Sequence, residues 1–335
     1  MPRRPPRWLS LAAAVLAAVG TASAAYQEAA EALDRKRYPP PGRMVDVGGR
    51  FLHLIDIGIG SPAVVIIQAL GANSLDFLGF YRELAASGMR VIVYDRAGLG
   101  WSKAPAPGRR THDDMARELH GLLTAAKIAP PYVLVGHSFG GIIARRFAAR
   151  YPGDAAGIVL IDSSHEDQVR RFIEAEGPWG NPPLTTAWRV LKAAACPLGL
   201  RRLLSRKPSL TAAPQDDGAA RAIGLTARGR RADIREMLLS ARLHGSPPDL
   251  GSLPLTVLTA AGRDPTWNDL QAELATTSTA SIHIVAEYGW HFLQQDNPDF
   301  VSAAIRDMVS QVARDHRSLH PSCENPHAAG GRGIR

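Results

Sequence analysis

The chain has 335 residues, 45% of them hydrophobic and 21% charged, which supports a sizeable core in one large or two medium domains and excludes a wholly disordered protein. The formal net charge is +8, but the arginines are scattered rather than gathered into a basic run with interleaved aromatics, so no nucleic-acid partner is expected and only mild attraction to anionic surfaces remains. The two cysteines, Cys196 and Cys323, stand far apart with no metal-ligand spacing, so neither a disulfide framework nor a zinc site is expected.

The first element is a leader. MPRRPPRW carries Arg3, Arg4 and Arg7, LSLAAAVLAAVG is a short apolar run, and TASAA supplies small residues at Ala22 and Ala24. Residues 1–25 therefore read as an export signal cleaved after Ala24, or as an N-terminal membrane anchor if AYQEAAEAL extends the helix. The run is shorter than the roughly 20 residues that span a bilayer. Both readings place the folded part outside the cytoplasm, exported as a secreted or periplasmic protein or held at the membrane by this segment.

After the linker YPPPGR, MVDV and FLHLIDI flank Gly48-Gly49 and predict a hairpin. Six nearly continuous apolar runs follow, at 63–68, 90–95, 132–137, 157–162, 255–260 and 281–286, a pattern expected of strands buried on both faces of a parallel sheet. Helical spacing is present at 75–86, 113–127, 139–151 and 298–314. This alternation predicts an α/β layer fold with a hairpin leading into the sheet. Between the fourth and fifth of the six runs lie roughly 90 residues, far more than a crossover needs. Residues 165–250 are expected to form a helical cap, on the amphipathic spacing of WRVLKAAA and ADIREMLLSARL, with Phe172, Trp179, Trp188, Leu203 and Leu204 lining a pocket or the cap's own core. The core then comprises 42–164 and 251–315, and 316–335 is expected to be a disordered tail.

The chemistry centres on VGHSFGG at 135–141. A GxSxG pattern carries weight when it follows a strand and opens a helix, and here YVLVGH precedes it and SFGGIIARRFAARY follows. Ser138 is then a nucleophile on a sharp turn, with the helix N-terminus beneath it ready for developing negative charge. A serine hydroxyl needs a base. Of the eleven histidines, His291 lies beyond the last strand at the sheet's carboxyl edge, where ligand chemistry gathers in open α/β sheets. His283 is expected to be packed within its strand, His137 to point away from the hydroxyl, and His165, after the strand ending in Asp162, to face the substrate or to support the site from behind. For the carboxylate, Asp264 follows the 255–260 run and gives the order Ser138, Asp264, His291. Asp162, one strand earlier, is the rival, and is expected instead to cap a local turn.

These motifs together resemble the α/β-hydrolase fold family, in its bacterial type with a helical cap, over roughly 42–315. YDRAGLGWS resembles the family's turn after the fourth strand, VGHSFGG its nucleophile elbow, GRDP its acid turn, and GWHF followed by Asn297-Pro298 its histidine loop. The resemblance implies a mostly parallel eight-stranded sheet flanked by helices. It implies Ser138 as nucleophile, His291 as base and then acid, and Asp264 as the orienting acid. It also implies an oxyanion hole made of the backbone N–H groups of Phe139 and Leu70. One motif departs: Gln68-Ala69 stands where relatives often carry His-Gly, which puts the local bend and the orientation of Gln68 in question. The expected reaction is hydrolysis of a small carboxylic ester through an acyl-enzyme, with no metal or organic cofactor. Amide cleavage, acyl transfer and cofactor-free perhydrolysis on the same residues, and a non-catalytic binding protein on the same scaffold, stay open. Serine at the elbow argues against the family's dehalogenases and epoxide hydrolases, which use aspartate there.

Overall fold

A computed structural model describes residues 7–106, 108–176, 202, 209 and 211–319. Eight strands form one sheet in the order β1-β2-β4-β3-β5-β6-β7-β8. The hairpin β1 (Arg43–Asp46) and β2 (Phe51–Ile57) turns at Gly48-Gly49, both at positive φ, and is antiparallel to its neighbours. The other six are parallel: β3 (Ala63–Ile67), β4 (Val91–Tyr94), β5 (Tyr132–His137), β6 (Ala155–Ile161), β7 (Leu255–Thr259) and β8 (Ser281–Val285). All six fall within two residues of the apolar runs that announce them. One expectation fails at the sheet's end. β8 is an edge strand, with Ile282 and Val285 each 57% exposed and His283 exposed, bonded through Nε2 to Thr259 Oγ1 at 2.8 Å. Its apolar run therefore does not mark a strand buried on both faces, and His283 is not packed.

The core lies on both faces of the sheet. On one face, helices α3 (His112–Ala125) and α4 (Phe139–Arg150) cover Leu54, Val65, Ile67, Leu134, Leu160 and Val257. On the other, α2 (Leu78–Ala86) and the helix Pro298–Leu319 cover Val64, Ile66, Val133, Val159 and Leu258. Each such aliphatic side chain withdrawn from water contributes about 1.5–3 kcal/mol. Helix α3 starts where a capping box requires it, with Thr111 Oγ1 accepting from the Asp114 N–H and the Asp114 carboxylate accepting from the Thr111 N–H. Helix α2 starts three residues later than its periodicity predicts, because Phe77 adopts a left-handed φ of 59°.

Between β6 and β7 the described residues form α5 (Gln168–Glu176) and the helices Asp217–Gly224 and Ala227–Ser240, an inserted helical cap. WRVLKAAA, Trp179, Trp188, Leu203 and Leu204 lie outside the described residues, whereas Phe172 stacks on Trp267 at 6.2 Å. Helix α1 runs unbroken from Arg7 to Arg37, so AYQEAAEAL does extend the N-terminal helix. Its second half docks on the cap: Gln27 Nε2 donates to Leu225 O and Glu31 Oε1 accepts from the Ala227 N–H, both at 2.8 Å, and Asp34 pairs with Arg202. Among the described residues no helix is long and apolar enough to cross a membrane. The final helix continues to Leu319, past the expected end of the ordered chain at 315.

Candidate active site

Ser138 stands between β5 and α4 at φ 52° and ψ −121°, a backbone conformation that an L residue holds only when its surroundings over-determine it. The determinants are local. Its N–H donates to Ile161 O at 3.1 Å, and its carbonyl accepts from Gly141 and Ser164 at 3.0 Å each. Three glycines make room for the bend. A Cβ on Gly136 would lie 2.6 Å from Gly141 Cα, one on Gly140 would lie 1.9 Å from Ile67 O, and one on Gly141 would lie 1.9 Å from Ser163 Oγ. Gly140→Ala is therefore expected to push the β3 exit loop away from the nucleophile and lower kcat by about a hundredfold or more, the scale of a 1 Å misplacement. A kcat within a few-fold of the parent would show that the loop can yield without harm.

His291 reaches the serine from the loop after β8. Its Nε2 is 3.0 Å from Ser138 Oγ, and its Nδ1 is 2.6 Å from Asp162 Oδ2. Asp162 begins the loop after β6, at φ 40° and with no solvent exposure. Its other oxygen, Oδ1, accepts from Trp267 Nε1 at 2.8 Å and from the Ala260 N–H at 3.1 Å. Burial alone would raise the Asp162 pKa, but the His291 hydrogen bond and charge, with Arg263 and the Ala260 N–H, hold it below the ordinary carboxylate value. The acid is thus ionised and aims the imidazole, leaving Nε2 to accept the serine proton.

Asp264 does not meet the histidine. It is the N-cap of the helix Pro265–Ala275, where its Oδ1 accepts from the Trp267 N–H at 2.9 Å, and Pro265 occupies the first helical turn. The two aspartates exchange the roles expected of them: Asp264 caps a helix, and Asp162 meets the histidine. The connection is indirect, since the helix Asp264 caps is the one that delivers Trp267 to Asp162. The sequence signal overlooked was Asp-Pro itself, a helix-start signature at a place where no helix was expected.

His137 makes no hydrogen bond with Ser138 Oγ among the described residues and holds the histidine loop. Its Nε2 donates to His291 O at 2.8 Å, and its Nδ1 accepts from Gln294 Nε2 at 3.1 Å, which requires a neutral ring. Burial, then the His291 charge, pushes its pKa down to about 3. His112, beside the Phe139 ring, is lowered to about 4 by burial and then by Arg146. Both rings are neutral in the fold but take up a proton near pH 6.5 once unfolded. The unfolded state therefore binds more protons between these values, and stability falls as pH drops from about 6.5 toward 4, and toward 3 for His137. The slope is at most about 1.4 kcal/mol per pH unit for each group. Melting temperatures recorded from pH 7 to 4 should decline, with a shallower decline in His137→Gln; a flat profile above pH 4 would contradict the buried neutral rings. His165 makes no hydrogen bond with Ser138 or His291 among the described residues. Its Nδ1 accepts from the Asp167 N–H at 3.0 Å and its Nε2 lies 3.5 Å from Glu273.

The β3 exit loop resolves the Gln68-Ala69 departure. Gln68 is buried and turned inward: its Nε2 donates to Asp76 O at 3.1 Å and its Oε1 accepts from Tyr81 at 3.3 Å. The positive φ of the bend falls on Gly71, at 69°, so Ala69 needs no left-handed backbone. Leu70 is half-buried, and among the described residues no intramolecular acceptor takes up its N–H. Phe139, the other expected donor, opens α4 directly after Ser138. A cavity of about 250 Å³ lies against this loop and the cap, lined by Gly71, Asn73, Leu225, Arg230 and Asp233; neither Ser138 nor His291 lines it.

The profile of the alpha/beta hydrolase fold family matches residues 62–182. The chain is 26% identical over 236 residues to the uncharacterized protein YqjL of Bacillus subtilis, covering 69% of this chain and 77% of that protein. It is 25% identical over 292 residues to a 2-hydroxymuconate semialdehyde hydrolase of Pseudomonas putida, covering 83% and 97%. Among solved structures it is similar to a thermophilic esterase from Thermogutta terrifontis, with a TM-score of 0.58, 23% identity, and coverage of 81% of this chain and 98% of that one. Strand order, elbow and family profile agree, and the chain has the α/β-hydrolase fold.

Proposed function

We propose that this protein is a serine hydrolase of small carboxylic esters, acting through an acyl-enzyme on Ser138. The observation that carries the reading is the hydrogen-bonded relay from Ser138 Oγ through His291 to buried Asp162, at 3.0 and 2.6 Å. Ser138 Oγ attacks the ester carbonyl carbon while its proton passes to His291 Nε2. The carbon–oxygen bond to the alcohol then breaks, and the leaving oxygen takes that proton. Water, deprotonated by His291, adds to the acyl-enzyme and releases the acid and the free serine. The likeness to an esterase structure supports the fold of this reading, and the serine relay supports its acyl-enzyme step.

The N-terminal segment is read as an export signal or membrane anchor. Gln27, Glu31 and Asp34, which bond α1 to the cap, all lie beyond Ala24, so cleavage there would keep these bonds. The mass of the protein recovered from an exporting host distinguishes a chain beginning at Ala25 from an intact one.

The hydrolase reading is tested with a fluorophosphonate probe and a panel of p-nitrophenyl esters of increasing acyl length. Wild type is expected to label once and to turn over part of the panel, and Ser138→Ala to do neither. Equal labelling of both proteins would sink the reading.

A further inference from the structure

The β3 exit loop is held by a buried ion pair made from two distant segments. Arg96, in the turn after β4, is 2% exposed, and Glu236, on the cap helix Ala227–Ser240, is 1% exposed. Arg96 Nε and Nη2 donate to the two Glu236 oxygens at 2.7 and 2.8 Å. The same guanidinium donates from Nη1 to Gln68 O at 2.6 Å and from Nη2 to Ala69 O at 2.7 Å. Glu236 Oε2 also accepts from the Gly71 N–H at 3.0 Å. Two successive carbonyls and the N–H of Gly71 are therefore tied to one pair. Ala69 O and the Leu70 N–H belong to one planar trans peptide and point in opposite directions. Fixing the carbonyl on Arg96 fixes where the Leu70 N–H aims. The loop also lies against the elbow, since Gly140 leaves no room for a Cβ beside Ile67 O and Gln68 O.

We propose that Arg96 and Glu236 are positioning residues that orient the Leu70 N–H as an oxyanion donor opposite Ser138, so that docking of the cap helix and assembly of the oxyanion hole are one event. The inference rests on the serine-hydrolase reading. Neither side chain touches substrate. Both act through the backbone of residues 68–71, and because Glu236 belongs to the cap, a cap that lifts away takes with it one end of the tie.

The test uses the full chain, with kcat and KM on a p-nitrophenyl ester expressed per site labelled by fluorophosphonate. In the double variant Arg96→Met/Glu236→Leu the buried charges are replaced by apolar groups of similar bulk, a change that often preserves folding. It is expected to label to full stoichiometry, to keep KM within about twofold, and to lose at least about tenfold in kcat, toward the roughly hundredfold cost of one oxyanion donor. Arg96→Lys, which cannot fork to two carbonyls and a carboxylate, should fall between the double variant and the parent. Glu236→Gln, closest in shape, should lower kcat at constant KM if the double variant proves unstable. A purely structural role would reduce the labelled fraction and the melting temperature while leaving kcat per labelled site unchanged, and that result overturns the inference. Wild type that neither labels nor turns over overturns the hydrolase reading and the inference with it.

Discussion

Asp162→Asn is expected to lower kcat by about 10⁴-fold, the size seen when the acid of a serine-protease relay loses its charge and the imidazole adopts the wrong tautomer. Asp162 is fully buried, and its Oδ2 lies 2.6 Å from His291 Nδ1. An amide there can present its NH2 group to Nδ1, which puts the ring proton on Nε2, where the serine needs an acceptor. Asp264→Ala should leave kcat within a few-fold, because its carboxylate serves the Trp267 N–H and not the histidine. Its cost is that of a lost cap, about 0.5–2 kcal/mol. Measuring the two variants side by side on one ester decides the acid. An inactive Asp264→Ala beside an active Asp162→Asn would reverse the assignment.

Glu166→Ala is expected to be the most destabilising of the single changes considered. Arg145 and Glu166 are both wholly inaccessible, with Arg145 Nη2 2.8 Å from Glu166 Oε2. Arg145 also donates to Ser163 Oγ at 3.0 Å and to Ser164 O at 2.9 Å, so the pair fastens the acid loop to the helix behind the nucleophile. Removing the carboxylate leaves a guanidinium buried without its counter-charge, at a cost of about 3–5 kcal/mol. In a domain of this size that corresponds to a melting temperature lower by roughly 6 °C or more. Replacing both partners, as Arg145→Met/Glu166→Leu, should return stability close to the parent, because Arg145 Nε and Glu166 Oε1 have no partner among the described residues and the pair is incompletely satisfied. A Glu166→Ala protein that melts with wild type would mean that water reaches Arg145.

Much of this architecture is written in short-range pattern. Apolar runs mark all eight strands within two residues of their bounds, and the glycines of VGHSFGG mark the elbow because no side chain fits there. His291 is legible because only a loop at the carboxyl edge, just before the last helix, can meet a serine held above β5. The misread elements share a cause. β8 has the same apolar composition as its neighbours and differs only in having no strand beyond it. Asp264 follows the strand next to the one that Asp162 follows, and either gives the chain order serine, acid, histidine. Gln68 carries no mark of facing inward, since its partners, Asp76 and Tyr81, are fixed by the packing of α2.

The linear chain is sufficient for what depends on neighbours within a turn or a strand: where elements begin, which faces are apolar, and which turn only glycine permits. The choice of acid, the inward turn of Gln68 and the Arg96–Glu236 tie join residues separated by 129, 13 and 140 positions. Their energies depend on distance, burial and competing donors. Those quantities exist only once β6 and β7 lie side by side and the cap helix is down on the β3 loop, which is why the elbow was readable from its own seven residues and the carboxylate that meets His291 was not.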